Sequence, residues 1–230
     1  FAIMFVPLFL RERPGEKLLP WSKGSTSLEN EKMQITNWTE IFKSLFSVFL
    51  LRNSILMACV LFITQISFNF IATLLPVFTV QALGWSNVEY SQFFATASLI
   101  GGIGGMLIGG ILIDKFGKIR MLNVYFFILI MLTTVFPFLN MYWKNYWVIS
   151  SFMVIYQILY VFTSIGLFAC AMEFCWKKIS ASQFTLYMTI ANLGRIVGAK
   201  LLGPLKNLLS WEYTICSFGV MLALAWIIMP

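Results

Sequence analysis

Arg195 is the residue of this chain that most needs a chemical explanation. It sits inside the apolar segment 181–205, about 20 Å beyond Ala181 at 1.5 Å per residue. A guanidinium that deep in a membrane costs several kcal/mol unless it is paired or hydrated, so it must face a bundle interior or an aqueous cavity. Thr185, Thr189 and Asn192 lie on a neighbouring helical face and make that side polar. Such a cation can anchor a carboxylate or phosphate through a bidentate contact. It can equally be one half of a structural ion pair, or a residue that fixes helix packing. Lys200, nearer the end of the segment, can snorkel to the surface.

Two further polar sets fall in apolar segments. Gln65 and Asn69 are spaced i, i+4, and Gln157, Tyr160 and Ser164 form a similar stripe with Tyr156 beside it. Interhelical hydrogen bonding accounts for such residues more often than ligand contact does. With Arg195, Asn192 and Thr189 they make the candidate substrate-binding set. Glu173, at a segment end, is either a proton site or an exposed terminal residue, and no acidic residue falls in the middle of a segment.

Other chemistry is excluded by what is missing. The chain has no histidine, which removes Ser-His and Cys-His nucleophile pairs and histidine metal clusters. It has no GxxxxGK[ST] phosphate loop, so nothing supports ATP-driven work. Cys59, Cys170, Cys175 and Cys216 form no CxxC pair and read as small hydrophobes. No catalytic residue, metal or cofactor is expected.

The elements that must position these residues are membrane spans. The chain is 60% hydrophobic and 11% charged, with mean hydropathy +0.85, well above a soluble domain. Six apolar segments, at about 53–80, 91–113, 119–139, 146–171, 181–205 and 212–229, each approach the ~20 residues needed to cross a bilayer. Lys and Arg crowd one side: Arg11, Arg13, Lys17, Lys23, Lys32, Lys43, Arg52, Lys115, Lys118, Arg120, Lys177 and Lys178, against Lys144 and Lys206 on the other. The first side is therefore cytoplasmic. This bias explains the net charge of +7 without a nucleic-acid partner, and sets the basic loops against anionic lipid.

Ahead of the spans, residues 1–10 read as the tail of a further helix. Residues 11–52 read as a cytoplasmic linker that ends in an amphipathic lead-in helix, and 53–230 as the bundle. Asn37 and Glu40 have capping-box spacing, and Ile41, Phe42, Leu45, Phe46 and Phe49 follow at helical spacing, as in a helix lying on the membrane surface. The sequon Asn37-Trp38-Thr39 faces the cytoplasm and is discounted. Pro76 predicts a bend near the outer end of the first span. Gly101, Gly105 and Gly109, with Gly102, Gly104 and Gly110 alongside, form a small-residue stripe for close helix packing, with a sliding surface as the alternative.

The turn between the second and third spans, GGILIDKFGKIR at residues 109–120, brings Gly110, Asp114, Lys115, Gly117, Lys118 and Arg120 into one short charged loop. It resembles the cytoplasmic loop signature of the major facilitator superfamily, with Ile119 where a second basic residue is usual. The resemblance implies an all-α integral membrane fold. The six-transmembrane-helix bundle would be the C-terminal half of a twelve-helix facilitator, with the substrate site between the two halves. It further implies that Asp114 holds a cytoplasmic gate closed by pairing with a basic residue or a helix N-terminus.

Residues 166–204 resemble a narrower branch, the muropeptide permeases (AmpG-like) and the related acetyl-coenzyme A transporters. There Ser180, Ala181, Gln183 and Phe184 match, with Ser182 in place of Thr, followed by Gly194, Arg195, Gly203 and Pro204. Arg52-Asn53 is similar too. The resemblance implies proton-driven import of an amphiphilic anionic solute such as a muropeptide across a bacterial inner membrane, or else transport of acetyl-coenzyme A or another organic anion. The expected partners are a small-molecule substrate, the lipid bilayer and an N-terminal six-helix half, in a monomer. A receptor or scaffold that transports nothing is the alternative of another class. A six-span intramembrane enzyme is disfavoured by the missing histidines and mid-span acids.

Overall fold

The computed structural model describes residues 38–229. The stretch 1–10, the linker as far as residue 37 and the Asn37 cap lie outside the described residues. The described chain is helical, with no strand. Its helices are α1 (Trp38–Phe49), α2 (Arg52–Gln81), α3 (Asn87–Phe116), α4 (Lys118–Tyr142), α5 (Tyr146–Glu173), α6 (Ser180–Leu208) and α7 (Trp211–Ile228).

Local chemistry explains the boundaries. Gly84, at φ +78, turns the chain after α2, and Ser86 then caps α3. Its hydroxyl accepts the Glu89 N–H at 3.1 Å, and its own N–H donates to Glu89 Oε2 at 2.7 Å. This reciprocal box starts α3 at Asn87, earlier than the hydropathy window suggests, because capping residues are polar and lower the window average. α3 contains a π-helical turn at Gly105–Gly109, in its glycine-rich middle. α4 tightens into 3-10 geometry at Phe136–Tyr142, where Pro137 removes a backbone donor. Pro76, by contrast, lies inside a helix that runs on to Gln81.

α2, α3, α4, α5 and α7 are each long and apolar enough to cross a membrane. α6, at 29 residues, would reach over 40 Å, but Thr185, Thr189, Asn192, Arg195 and Lys200 lower its hydropathy. In the bundle α2 lies between α6 and α7, α7 next touches α4, α4 packs on α5, and α5 on α3. Weaker contacts of α2 with α3 and α5, and of α5 with α6, bring α2, α3, α5 and α6 around a shared centre.

Two helix pairs approach closely through glycine. Gly101 and Gly109 face α5, where a Cβ would meet Gln157 O at 3.0 Å and Phe162 Cδ1 at 3.3 Å. The stripe is thus a packing surface, while Gly102, Gly104 and Gly110 have nothing within 4 Å. α6 presses harder on α2. A Cβ on Gly194 would lie 2.5 Å from the Phe62 carbonyl oxygen, and one on Gly198 would collide with that of Ile66. Lipid gives helices no hydrophobic reason to associate, so such backbone contact is the main source of their packing energy.

One end of the bundle is tied by Gln183, fully buried at 0% exposure. Its amide oxygen accepts the Trp176 N–H at 2.8 Å, and its two N–H donors are shared among Phe174 O, Ser54 Oγ and Tyr187 Oη. One side chain thereby joins α2, α6 and the α5–α6 connection. At the other end Phe78 packs edge-on to Trp143 and Trp211, and Lys206 stands 4.2 Å over the Trp211 ring.

Candidate functional site

The close approach at Gly194 places Arg195 against α2. The Asn69 amide donates to the Arg195 carbonyl oxygen at 2.7 Å, and Arg195 Nε donates to Gln65 Oε1 at 3.0 Å. The first bond leaves one helical carbonyl doubly engaged and fixes register between the helices. The second orients the guanidinium edge-on, so the fork of terminal amino groups keeps its donors, which have no partner among the described residues.

These groups line a cavity of 160 Å³ together with Phe68 and Ala72 of α2, Phe94 of α3, and Tyr156, Gln157 and Tyr160 of α5. The Gln157 amide and the Tyr156 and Tyr160 hydroxyls make no hydrogen bond among the described residues, so their polar capacity is unspent. The Tyr160 ring stands edge-on to Phe68 at 4.8 Å and beside Tyr156 at 6.2 Å. One cation, neutral amides and hydroxyls, and aromatic faces suit an anionic group attached to a bulkier apolar body. The volume admits that group and not a whole solute. A roomier cavity of 630 Å³ between α4 and α5 is walled by residues such as Met131, Val135 and Ile155, and it offers no charge to anchor anything.

Of the seven candidates, the structure brings together Gln65, Asn69, Gln157, Tyr160 and Arg195. Asn192 and Thr189 do not line the cavity, which corrects their grouping with Arg195. Like Arg195 they are exposed, and the Thr189 hydroxyl is spent on the Thr185 carbonyl of its own helix at 2.9 Å. Phe68, Ala72 and Phe94 are not legible as lining residues in the sequence, because an apolar residue in an apolar span carries no signal. The Gly194–Gly198 spacing did carry one, as a small-xxx-small pair, and it is what seats Arg195.

The short charged loop at residues 109–120 turns on one residue. Gly117, at φ +90, links α3 to α4 by itself, a conformation that side chains resist. Asp114 is exposed and makes no ion pair among the described residues, so its expected pairing with a basic residue is not present. Lys118 instead binds Glu173 at 3.2 Å, joining the loop to the end of α5, because α4 packs on α5. Lys115 lies against the Phe116 ring, 5.5 Å from its centre, Arg120 is exposed, and Gly110 has open space around it. Glu173 is 59% exposed and Lys118 41%, so water screens the pair. Glu173→Gln is expected to change stability by less than about 1 kcal/mol, read as a thermal midpoint in detergent within a few degrees of wild type.

The profile of the Major Facilitator Superfamily matches residues 1–199. The chain belongs to the Major Facilitator Superfamily. No curated protein matches the chain. As a facilitator it is an integral, multi-pass membrane protein and a secondary transporter. The facilitator's cavity is lined by residues from four of its helices, and no acidic residue is among them.

Proposed function

We propose that this facilitator imports an amphiphilic anionic solute, of which a muropeptide is the leading candidate, by proton symport across a bacterial inner membrane. The observation that carries this reading is the Arg195 guanidinium, held by Gln65 through Nε alone and lining a cavity with unspent amide and hydroxyl groups. Its terminal amino groups match a carboxylate or phosphate in geometry and charge. The aromatic wall supports an apolar body on the same solute.

The energetics of an anion argue for coupling. Moving one negative charge toward a negative interior costs about 2.3 kcal/mol per 100 mV, and a co-transported proton cancels that charge. In this proposal a second six-helix half closes over the exposed stripe Thr185, Thr189 and Asn192, and holds the bulk of the solute that 160 Å³ cannot. The loop of Gly110, Asp114, Lys115, Gly117, Lys118 and Arg120 serves as the cytoplasmic gate, and one copy suffices.

Uptake into vesicles carrying the full-length protein tests the reading. A radiolabelled muropeptide should enter at least about tenfold faster than an analogue with its carboxylates amidated, the value of one charge-assisted contact. An inward proton gradient should accelerate it. Equal uptake of the amidated analogue would remove the anion, indifference to the gradient would remove the proton, and faster uptake of acetyl-coenzyme A would reassign the solute.

A further inference from the structure

A further cavity, of 600 Å³, opens at the end of the bundle that holds Gln183, away from Arg195. It is lined by Val48 and Leu51 at the end of α1, Arg52 and Asn53 at the start of α2, and Phe174 and Trp176 after α5. Arg52 is exposed and has no hydrogen bond or ion pair among the described residues. The acid lining this cavity, Glu173, is paired with Lys118 at 3.2 Å. Lys178 stands 5.6 Å from the centre of the Trp176 ring.

The helix beside it indicates the occupant. α1 turns Ile41, Leu45, Val48 and Phe49 toward the bundle, where they are half-buried. At 3.6 residues per turn Phe42, Phe46 and Leu50 extend that apolar arc beyond the edge the bundle covers. They are 66%, 67% and 55% exposed, and Leu51 is 58% exposed. Lys43 borders the same arc. Helix ends, a half-exposed tryptophan and clustered cations place the whole region at a membrane–water boundary. A soluble anion would find the cations but have no use for the phenyl rings.

We propose that this groove binds the phosphate headgroup of an anionic lipid, with Arg52 as the phosphate ligand. α1 then lies in the headgroup layer with Phe42, Phe46 and Leu50 against the acyl chains. Lys43, Arg52, Lys177 and Lys178 supply the complementary charge, opposed by Glu40 and the already paired Glu173. The site is independent of the transported solute and of the Arg195 cavity.

Trp176 provides the readout. The protein in phosphatidylcholine nanodiscs is titrated with phosphatidylglycerol carrying brominated acyl chains, and Trp176 quenching is isolated by subtracting the Trp176→Phe variant. Brominated phosphatidylglycerol is expected to saturate at a several-fold lower fraction than brominated phosphatidylcholine. Arg52→Gln should raise its half-saturating fraction about fivefold, the usual worth of one basic residue at an anionic surface. Arg52→Lys should retain most of the preference, and Lys144→Gln, on the opposite side, all of it. An unchanged titration in Arg52→Gln would overturn the proposal. So would an Asn53→Cys thiol that resists a water-soluble maleimide in phosphatidylcholine discs without phosphatidylglycerol, since a protein segment would then fill the groove.

Discussion

Arg195→Lys is expected to weaken binding of the anionic solute about 30- to 150-fold while leaving the protein folded. Lysine keeps the charge but not the fork, and a point charge cannot hold a carboxylate or phosphate bidentately. The loss of a charge-assisted contact of roughly 2–3 kcal/mol sets that range. The bond that ties α6 to α2 at this position is indifferent to the side chain, because Asn69 donates to the Arg195 backbone carbonyl. Helix packing therefore survives the substitution, and binding is measured on a folded protein. The lysine also forfeits the Nε–Gln65 bond, so Gln65→Leu should lower affinity too, by a smaller factor, by releasing the guanidinium from its orientation. Titration calorimetry of the three proteins decides the matter. Equal solute affinity in wild type and Arg195→Lys would make Arg195 a packing residue and remove the anchor.

Gly198→Ala and Gly194→Ala should each destabilise the bundle by about 1–3 kcal/mol, the cost of overpacking a site that cannot relax. At both positions the added carbon meets a backbone carbonyl of α2, Ile66 or Phe62, and not a flexible side-chain tip. One helix must withdraw from the other, which also pulls Arg195 away from Gln65 and Asn69. Gly203→Ala is the control on the same helix. Nothing lies within 4 Å of its Cβ position, so the substitution should be neutral or gain up to about 1 kcal/mol from helix propensity. Thermal unfolding in detergent separates the two cases. Similar midpoints for all three variants would show that the α2–α6 contact is looser than the structure has it.

The helices and their order were legible in the sequence, and five of the six expected spans are long and apolar enough to cross a membrane. Transfer from water to lipid is a sum over neighbouring residues, so a window along the chain measures it. The small-residue stripe of α3 was legible for a similar reason, since helical spacing alone puts Gly101, Gly105 and Gly109 on one face. The start of α3 was less so, because its capping box is polar and local geometry outweighed hydropathy there.

What the tertiary structure alone decided is which polar groups meet. Arg195 and Gln65 are 130 residues apart, and nothing local to either names the other. Asn192 and Thr189 share the helix of Arg195 and its exposure, yet do not line the cavity. Lys118 takes Glu173 as its partner and leaves Asp114 alone. The rotation of each helix and the choice of its neighbours settle these outcomes. In a membrane those are governed by close backbone approach at a few glycines and by interhelical hydrogen bonds. Hydropathy sets how deep a residue lies and is silent about which neighbour it faces.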